Sequence, residues 1–312
     1  MNRTKTLETH EAMKQPVRST AVPFTVATLG IASYSMMDVV MKGLAIELGA
    51  YNAMLWRTSI ALVIAASLFI WKRSRWPDMS IIRLHVWRGV VMSVMAFLFF
   101  WGLVYVPLAE AIGLSFIAPL AALYLAAILL GEKIGGKAIF ASVIGFAGAL
   151  VIVAGKLSGE YSDDIGKGMG AILLSALLYA YNLILQRQQA LIAEPIEIAF
   201  FQNCTIVSIY MFFAPMLAVV PASYVLPELF LSAVLGIISM LLVSWAYGRA
   251  EARILIPVEY TAFIWASLMG WLVFAEEVTL TTVAGTALIV IGCLVTARQQ
   301  TDHVDHVETT AL

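Results

Sequence analysis

AVPFTVATLGIASYSMMDVVMKGLAIELGA (residues 21–50) is almost wholly apolar, yet it sets Asp38 and Lys42 four positions apart in its middle. A helix crossing a bilayer takes roughly 20 apolar residues, so this run is long enough to span. Charge inside a span is costly and marks a functional position by default. The rest of the chain follows the same pattern. Of its 312 residues 61% are hydrophobic and 12% charged, against about 45–50% and about 25% in a soluble domain. Such an excess belongs in lipid. A net charge of −1 gives no field to recruit nucleic acid or an acidic substrate.

Ten stretches qualify as spans: 22–45, 50–71, 82–105, 109–130, 136–155, 165–186, 196–217, 225–248, 253–274 and 279–297. They are continuously apolar and do not alternate, which predicts helices and not barrel strands. Short connections such as Pro107-Leu108 make neighbours antiparallel. The 19 lysines and arginines then sort by side. The outer loops hold only Lys156 and Lys167, Lys42 and Arg57 lie inside spans, and all the rest fall on one side. By the positive-inside rule both termini are cytoplasmic, and the expected location is the cell inner (plasma) membrane. No removable signal peptide is expected, because residues 1–20 are polar and the following apolar run is too long. Residues 298–312 form a polar tail expected to be disordered.

The chain repeats itself at an offset of 144 residues. Gly131-Glu132 falls on Ala275-Glu276, GALV (148–151) on GCLV (292–295), Asp38 on Asn182 and Lys42 on Gln186. With one residue of slack Arg57 meets Gln202. Each half (22–155 and 165–297) holds five helices, an odd number, so the second half enters from the opposite face. The expected fold class is therefore all-α, ten transmembrane helices in two inverted five-helix repeats. Inverted repeats suit alternating access, with a solute site near the midplane between the halves.

Two segments, VPLAEAIGLSFIAPLAALYLAAILLGEKI (106–134) and ARILIPVEYTAFIWASLMGWLVFAEEVT (252–279), each end an apolar helix on a Gly-Glu or Ala-Glu pair. In this the chain resembles the EamA branch of the drug/metabolite transporter superfamily, over residues 22–297. The resemblance implies a ten-helix inner-membrane carrier of small organic solutes. It does not choose among amino acids, nucleotide-like metabolites, vitamins and drugs. Ala275 departs from the family's usual glycine.

Asp38 and Lys42 lie on one helix face, where two readings stand: a self-neutralising pair turned to the bundle interior, or part of a polar cavity wall. Asn182 and Gln186 repeat the polarity without the charge, which predicts a common cavity for all four. Arg57 offers a donor fork for a substrate carboxylate or for an acid of the protein such as Asp38. Gln202 is its counterpart. Glu259 follows Pro257 near the start of the ninth span; it is a candidate for proton exchange, or a tie to Arg249 or Arg253. No histidine is expected deep in a span, so proton coupling is assigned to carboxylates. Glu110, Glu132 and Glu276 sit at span ends and read as helix caps. Tyr34, Tyr179, Tyr260 and Trp265 are candidates for stacking on a flat solute, with ordinary packing the alternative.

Trp71, Trp76 and Trp87 read as interface anchors. Small residues such as Gly145, Gly148 and Gly285 predict close helix contacts, and a monomer or a weak homodimer is expected. Cys204 and Cys293 read as lone buried thiols. His303 and His306 read as solvated, and neither a metal nor a cofactor is expected. Walker, zinc and nucleophile-elbow motifs do not occur. The expected function is a secondary transporter of an amino acid or related amphoteric solute, with a small-molecule substrate and, through carboxylates, protons as candidate partners. The alternative is an uptake carrier for a larger metabolite such as S-adenosylmethionine or a flavin. A membrane-embedded enzyme or a scaffold subunit fits less well.

Overall fold

The computed structural model describes residues 21–74, 76–118, 120–122, 124–125, 136–157, 164–247, 249 and 258–291. Glu132, Arg253, Pro257, Cys293 and both tails lie outside these. Helices follow one another along the chain: α1 (Ala21–Leu48), α2 (Ala50–Trp71), α3 (Met79–Leu103), α4 (Leu108–Ser115), α5 (Gly136–Leu157), α6 (Ile165–Ile192), α7 (Pro195–Leu217), α8 (Leu226–Tyr247), α9 (Thr261–Phe274) and α10 (Leu280–Ile291). A short 3-10 turn (Ser223–Val225) leads into α8. No strand occurs among the described residues.

Among the described residues six helices are long and apolar enough to cross a membrane: α1, α2, α3, α6, α7 and α8 with its leading turn. The 28 residues of α1 reach about 42 Å at 1.5 Å per residue, against a hydrocarbon core of about 30 Å. Their outer faces are apolar, with Val63, Leu177, Phe212 and Phe230 all exposed. In water such a surface would drive aggregation; in lipid it is the surface required. The protein is a multi-pass membrane protein. Trp71, Trp76 and Trp87 are exposed near helix ends, where interface anchors are placed.

Several boundaries differ from the sequence expectation. α1 ends at Leu48, where Gly49 takes φ 78 and lets α2 begin at the next residue. α6 runs on to Ile192, six residues past the expected end. α4 is not one continuous helix: after Ser115 the amides of Phe116 and Ile117 bond back three residues, at 3.3 and 3.1 Å, before helix resumes. α9 likewise starts at Thr261, after a turn at Tyr260.

The packing runs mainly between the first five helices and the last five. α1 packs on α8, α3 on α6 and α7, α2 on α7, and α4 on α9. Two glycine pairs permit backbone contact. A Cβ on Gly102 or Gly168 would press on the other's carbonyl between α3 and α6, and the same holds for Gly148 and Gly285 between α5 and α10.

α9 stops at Ala275, which takes φ 52 and ψ 32, a left-handed conformation that a side chain resists by roughly 1–2 kcal/mol. Glycine is the residue suited to that C-terminal position. Ala275→Gly is expected to stabilise the protein by about 1 kcal/mol, read as a raised Tm in detergent. An unchanged or lowered Tm would count against this strain.

A polar cavity between the halves

A cavity of about 300 Å³ lies between the two groups of helices, at the lower end of the usual range for small-molecule sites. Its wall is built from matching positions. α1 gives Ile31, Ser35 and Asp38, and α6 gives Ser175, Tyr179 and Asn182, each 144 residues later. α3 gives Met92, Ala96, Phe99 and Phe100, and α8 gives Gly236, Met240, Val243 and Ser244 at the same offset. The breaks beside α4 and α9 meet here too, as Ser115-Phe116 and Glu259-Tyr260. The rings of Phe116 and Tyr260, again 144 apart, pack edge to face with centroids 5.1 Å apart. Methionines and phenylalanines make most of the remaining wall apolar and adaptable.

Among the described residues four charged side chains enter this cavity: Asp38, Arg57, Arg88 and Glu259. Asp38 is half-buried and makes no hydrogen bond or ion pair with a described residue. Arg57 is close enough to feel its charge, but the two are not paired. Arg57 Nη1 reaches only the sulfur of Met37, at 3.2 Å, and its Nε is buried with no partner among the described residues. Gln202 Oε1 is buried and unpartnered in the same way. Buried polar groups are normally satisfied, and these two atoms are exceptions among the described residues. Glu259 accepts from the Tyr247 hydroxyl. Arg249, one of its expected partners, instead lies exposed over the Trp245 ring at 4.2 Å.

Of the residues singled out from sequence, Tyr34, Asp38, Arg57, Tyr179, Asn182, Gln186, Gln202, Glu259 and Tyr260 all line the cavity. Two do not. Trp265 lies farther along α9, its Nε1 buried without a partner among the described residues. Lys42 pairs elsewhere and does not line this cavity, so neither its self-pairing with Asp38 nor a shared cavity for Asp38, Lys42, Asn182 and Gln186 holds. Four residues carry the chain about 40° past a full turn and about 6 Å along the axis, and Lys42 lands on the seam between α1 and α9. There it pairs with Glu276 and donates to the Val106 carbonyl at 2.8 Å. The other Glu276 oxygen accepts from the Leu108 amide at 2.8 Å. Glu276 is thus a clasp holding α1, α4 and α9 together as well as an end residue of its helix. Glu110 is fully buried and accepts from Thr282 of α10 at 2.8 Å.

Arg88 was assigned by sequence to the loop cations, and it is instead buried at the cavity wall. Its Nε donates to Asn182 Oδ1 at 2.9 Å, its Nη2 to Gln186 Oε1 at 3.3 Å and its Nη1 to Gln189 Oε1. His85, one turn earlier, is fully buried between Glu197, at 2.9 Å from its Nε2, and Gln189 at its Nδ1. The expectation that no histidine lies deep in a span did not foresee this one, buried only seven residues into α3. A signal for both existed: Asn182, Gln186 and Gln189 recur at i, i+4 and i+7 on α6, and His85 and Arg88 at i, i+3 on α3. The expected span ended at residue 186 and so cut that stripe short.

A charged, partly apolar cavity between membrane-spanning helices is the kind of site that a solute carrier needs. The chain belongs to the EamA-like transporter family, whose model matches twice, over residues 23–154 and 166–298. Among curated relatives it is 27% identical to the pseudopaline exporter CntI of Pseudomonas aeruginosa, over 87% of this chain and 94% of that one. It is 21% identical to the S-adenosylmethionine uptake transporter of Rickettsia prowazekii, over 85% and 89%. It is 26% identical to the riboflavin transporter of Rhizobium johnstonii, over 92% and 94%. A solved crystal structure superposes with TM-score 0.59 at 16% identity, covering 90% of this chain and 99% of the other, which shows a shared fold.

Proposed function

We propose that this protein is a secondary transporter that moves a small amphoteric metabolite, an amino acid or a related solute, across the inner membrane by alternating access. The observation that carries this reading is the cavity: two carboxylic acids and two guanidinium groups, with no ion pair joining them, in an otherwise apolar wall. A solute with both an amine and a carboxylate would satisfy Asp38 and Arg57 together. The wall's matching positions, 144 apart, support two inverted halves of five helices each, at 22–155 and 165–297. The paired helix breaks at Phe116 and Tyr260 support a solute site at their junction. The charge asymmetry of the loops supports cytoplasmic termini. Protons are proposed as a coupling partner, through Asp38 or Glu259.

A second reading, uptake of a larger metabolite such as S-adenosylmethionine or a flavin, draws on the aromatic groups Phe99, Phe100, Phe116 and Tyr260 in the wall. One experiment separates them. Proteoliposomes holding the purified protein are offered labelled amino acids, S-adenosylmethionine and riboflavin. Saturable accumulation of one class, lost in Asp38→Asn, is the expected result. If no compound moves faster than in empty liposomes, and a deletion strain and an overproducer share one metabolite profile, the transporter reading of this cavity fails.

A further inference from the structure

His85, Gln189 and Arg88 form a chain in which each hydrogen bond sets the sense of the next. Arginine can only donate. The Gln189 carbonyl oxygen therefore faces Arg88, and its amino group is turned to His85 Nδ1. Nδ1 must then accept, so the ring proton sits on Nε2 and is donated to Glu197 Oε1 at 2.9 Å. An arginine on the cavity wall thus dictates the tautomer of a histidine that the cavity does not touch.

The chain has two ends. Arg88 lines the solute cavity. Glu197, in the first turn of α7, is the member nearest solvent, with its side chain 15% exposed, while His85 is 0% and Gln189 1% exposed. The charged groups that face His85 are Glu197 from α7 and Arg88 from α3. α6 contributes the neutral Gln189, and Phe201 of α7 stacks flat on the ring at 5.0 Å.

We propose that Gln189 is a polarity relay that couples proton uptake at His85 to anion binding at Arg88. When solvent hydronium gives up a proton to Nδ1, its O–H bond breaks and an N–H bond forms; the ring becomes a cation with two donors, and the hydrogen bond from the Gln189 amino group to Nδ1 is lost. Nε2–H keeps Glu197, and Nδ1–H needs an acceptor. Rotating the Gln189 amide by half a turn supplies one. The same rotation points its amino group at Arg88, donor against donor, and Arg88 loses an acceptor. A carboxylate entering the cavity replaces that acceptor. Proton and solute anion therefore favour each other's binding, and the favour is reciprocal. Imidazole is the side chain suited to such a role near neutral pH.

This inference rests on the transporter reading only for the identity of the anion's source, and its first test needs no solute. The full chain in lipid nanodiscs, labelled with ¹⁵N-histidine, is titrated from pH 5 to 8, and the His85 signal is identified by its loss in His85→Gln. Arg88→Met is expected to move the His85 midpoint by about one pH unit. When Gln189→Met is also present, the same substitution should move it by less than about a third of that, a non-additivity that a double-mutant cycle reads directly. Equal movement in both backgrounds means that the two residues interact only through space, and overturns the relay; no movement in either does so too. Should Arg88→Met fail to fold, Arg88→Lys keeps the charge and gives up the planar fork, and the same non-additivity is expected from it. A solute found by the proteoliposome panel supplies the second test. Its affinity should strengthen by up to about tenfold per pH unit of acidification in the wild type and by less than twofold in Gln189→Met. A failed panel with a non-additive cycle would sink the transporter reading and leave the relay; an additive cycle with a working panel would do the reverse.

Discussion

Arg57→Ala is expected to abolish transport in proteoliposomes, by about a hundredfold or more, while the protein still inserts and elutes as the wild type does. The expectation comes from what Arg57 lacks. Its guanidinium lies in the cavity with one sulfur contact and an unpartnered Nε. A buried cation held so poorly by its own protein is a cost to folding and a resource for binding. Losing one partner of a desolvated charged pair costs about 2–5 kcal/mol of affinity, and about 2.7 kcal/mol is already a hundredfold. Arg57→Lys keeps the charge without the two-pronged geometry and should retain a small part of the activity. Stability should move the other way: Arg57→Met is expected to raise Tm while it ends transport, the usual trade at a site held ready for a ligand. Normal uptake by Arg57→Ala, or a general loss of folding, would remove Arg57 from the solute site.

The second large effect is structural. Glu276→Gln should destabilise the protein by about 3 kcal/mol, because it leaves the Lys42 ammonium buried, 4% exposed, without a counterion. Lys42→Met should cost a similar amount by stranding the carboxylate. The double substitution Lys42→Met/Glu276→Gln should be milder than either, since no charge is left unpaired. Reversing the pair should not restore stability. A glutamate at 42 would face the Val106 carbonyl and a lysine at 276 would face the Leu108 amide, acceptor on acceptor and donor on donor. Thermal unfolding in detergent reads all four. Full rescue by the reversed pair would show that attraction alone matters and that the flanking backbone contacts do not.

Most of the cavity was legible in the sequence because polarity inside a span is so rare. Asp38, Arg57, Gln202 and Glu259 stand out against apolar neighbours, and the internal offset of 144 tied Asp38 to Asn182. The readings that failed share one physical origin. Lys42 lies four residues beyond Asp38, and spacing places the two on one face without saying which neighbour that face meets. Arg88 and His85 lie near a cluster of loop cations, where residue count from the helix end resembles that of a loop. Their burial depends on α6 running to Ile192 and bringing Gln189 alongside them.

By itself the sequence determined that the chain lives in lipid, that its spans are helices, where most of them begin and end, and which polar residues are out of place there. Those follow from local quantities: hydropathy over some twenty residues and the need to satisfy every backbone group. Only the tertiary structure decided who partners whom. Lys42 closes a clasp with Glu276, 234 residues away, and Arg88 is held by three amide oxygens of α6. Such choices depend on how helices distant in the chain rotate against one another, and the energy that sets those rotations belongs to the packed bundle and not to any one segment.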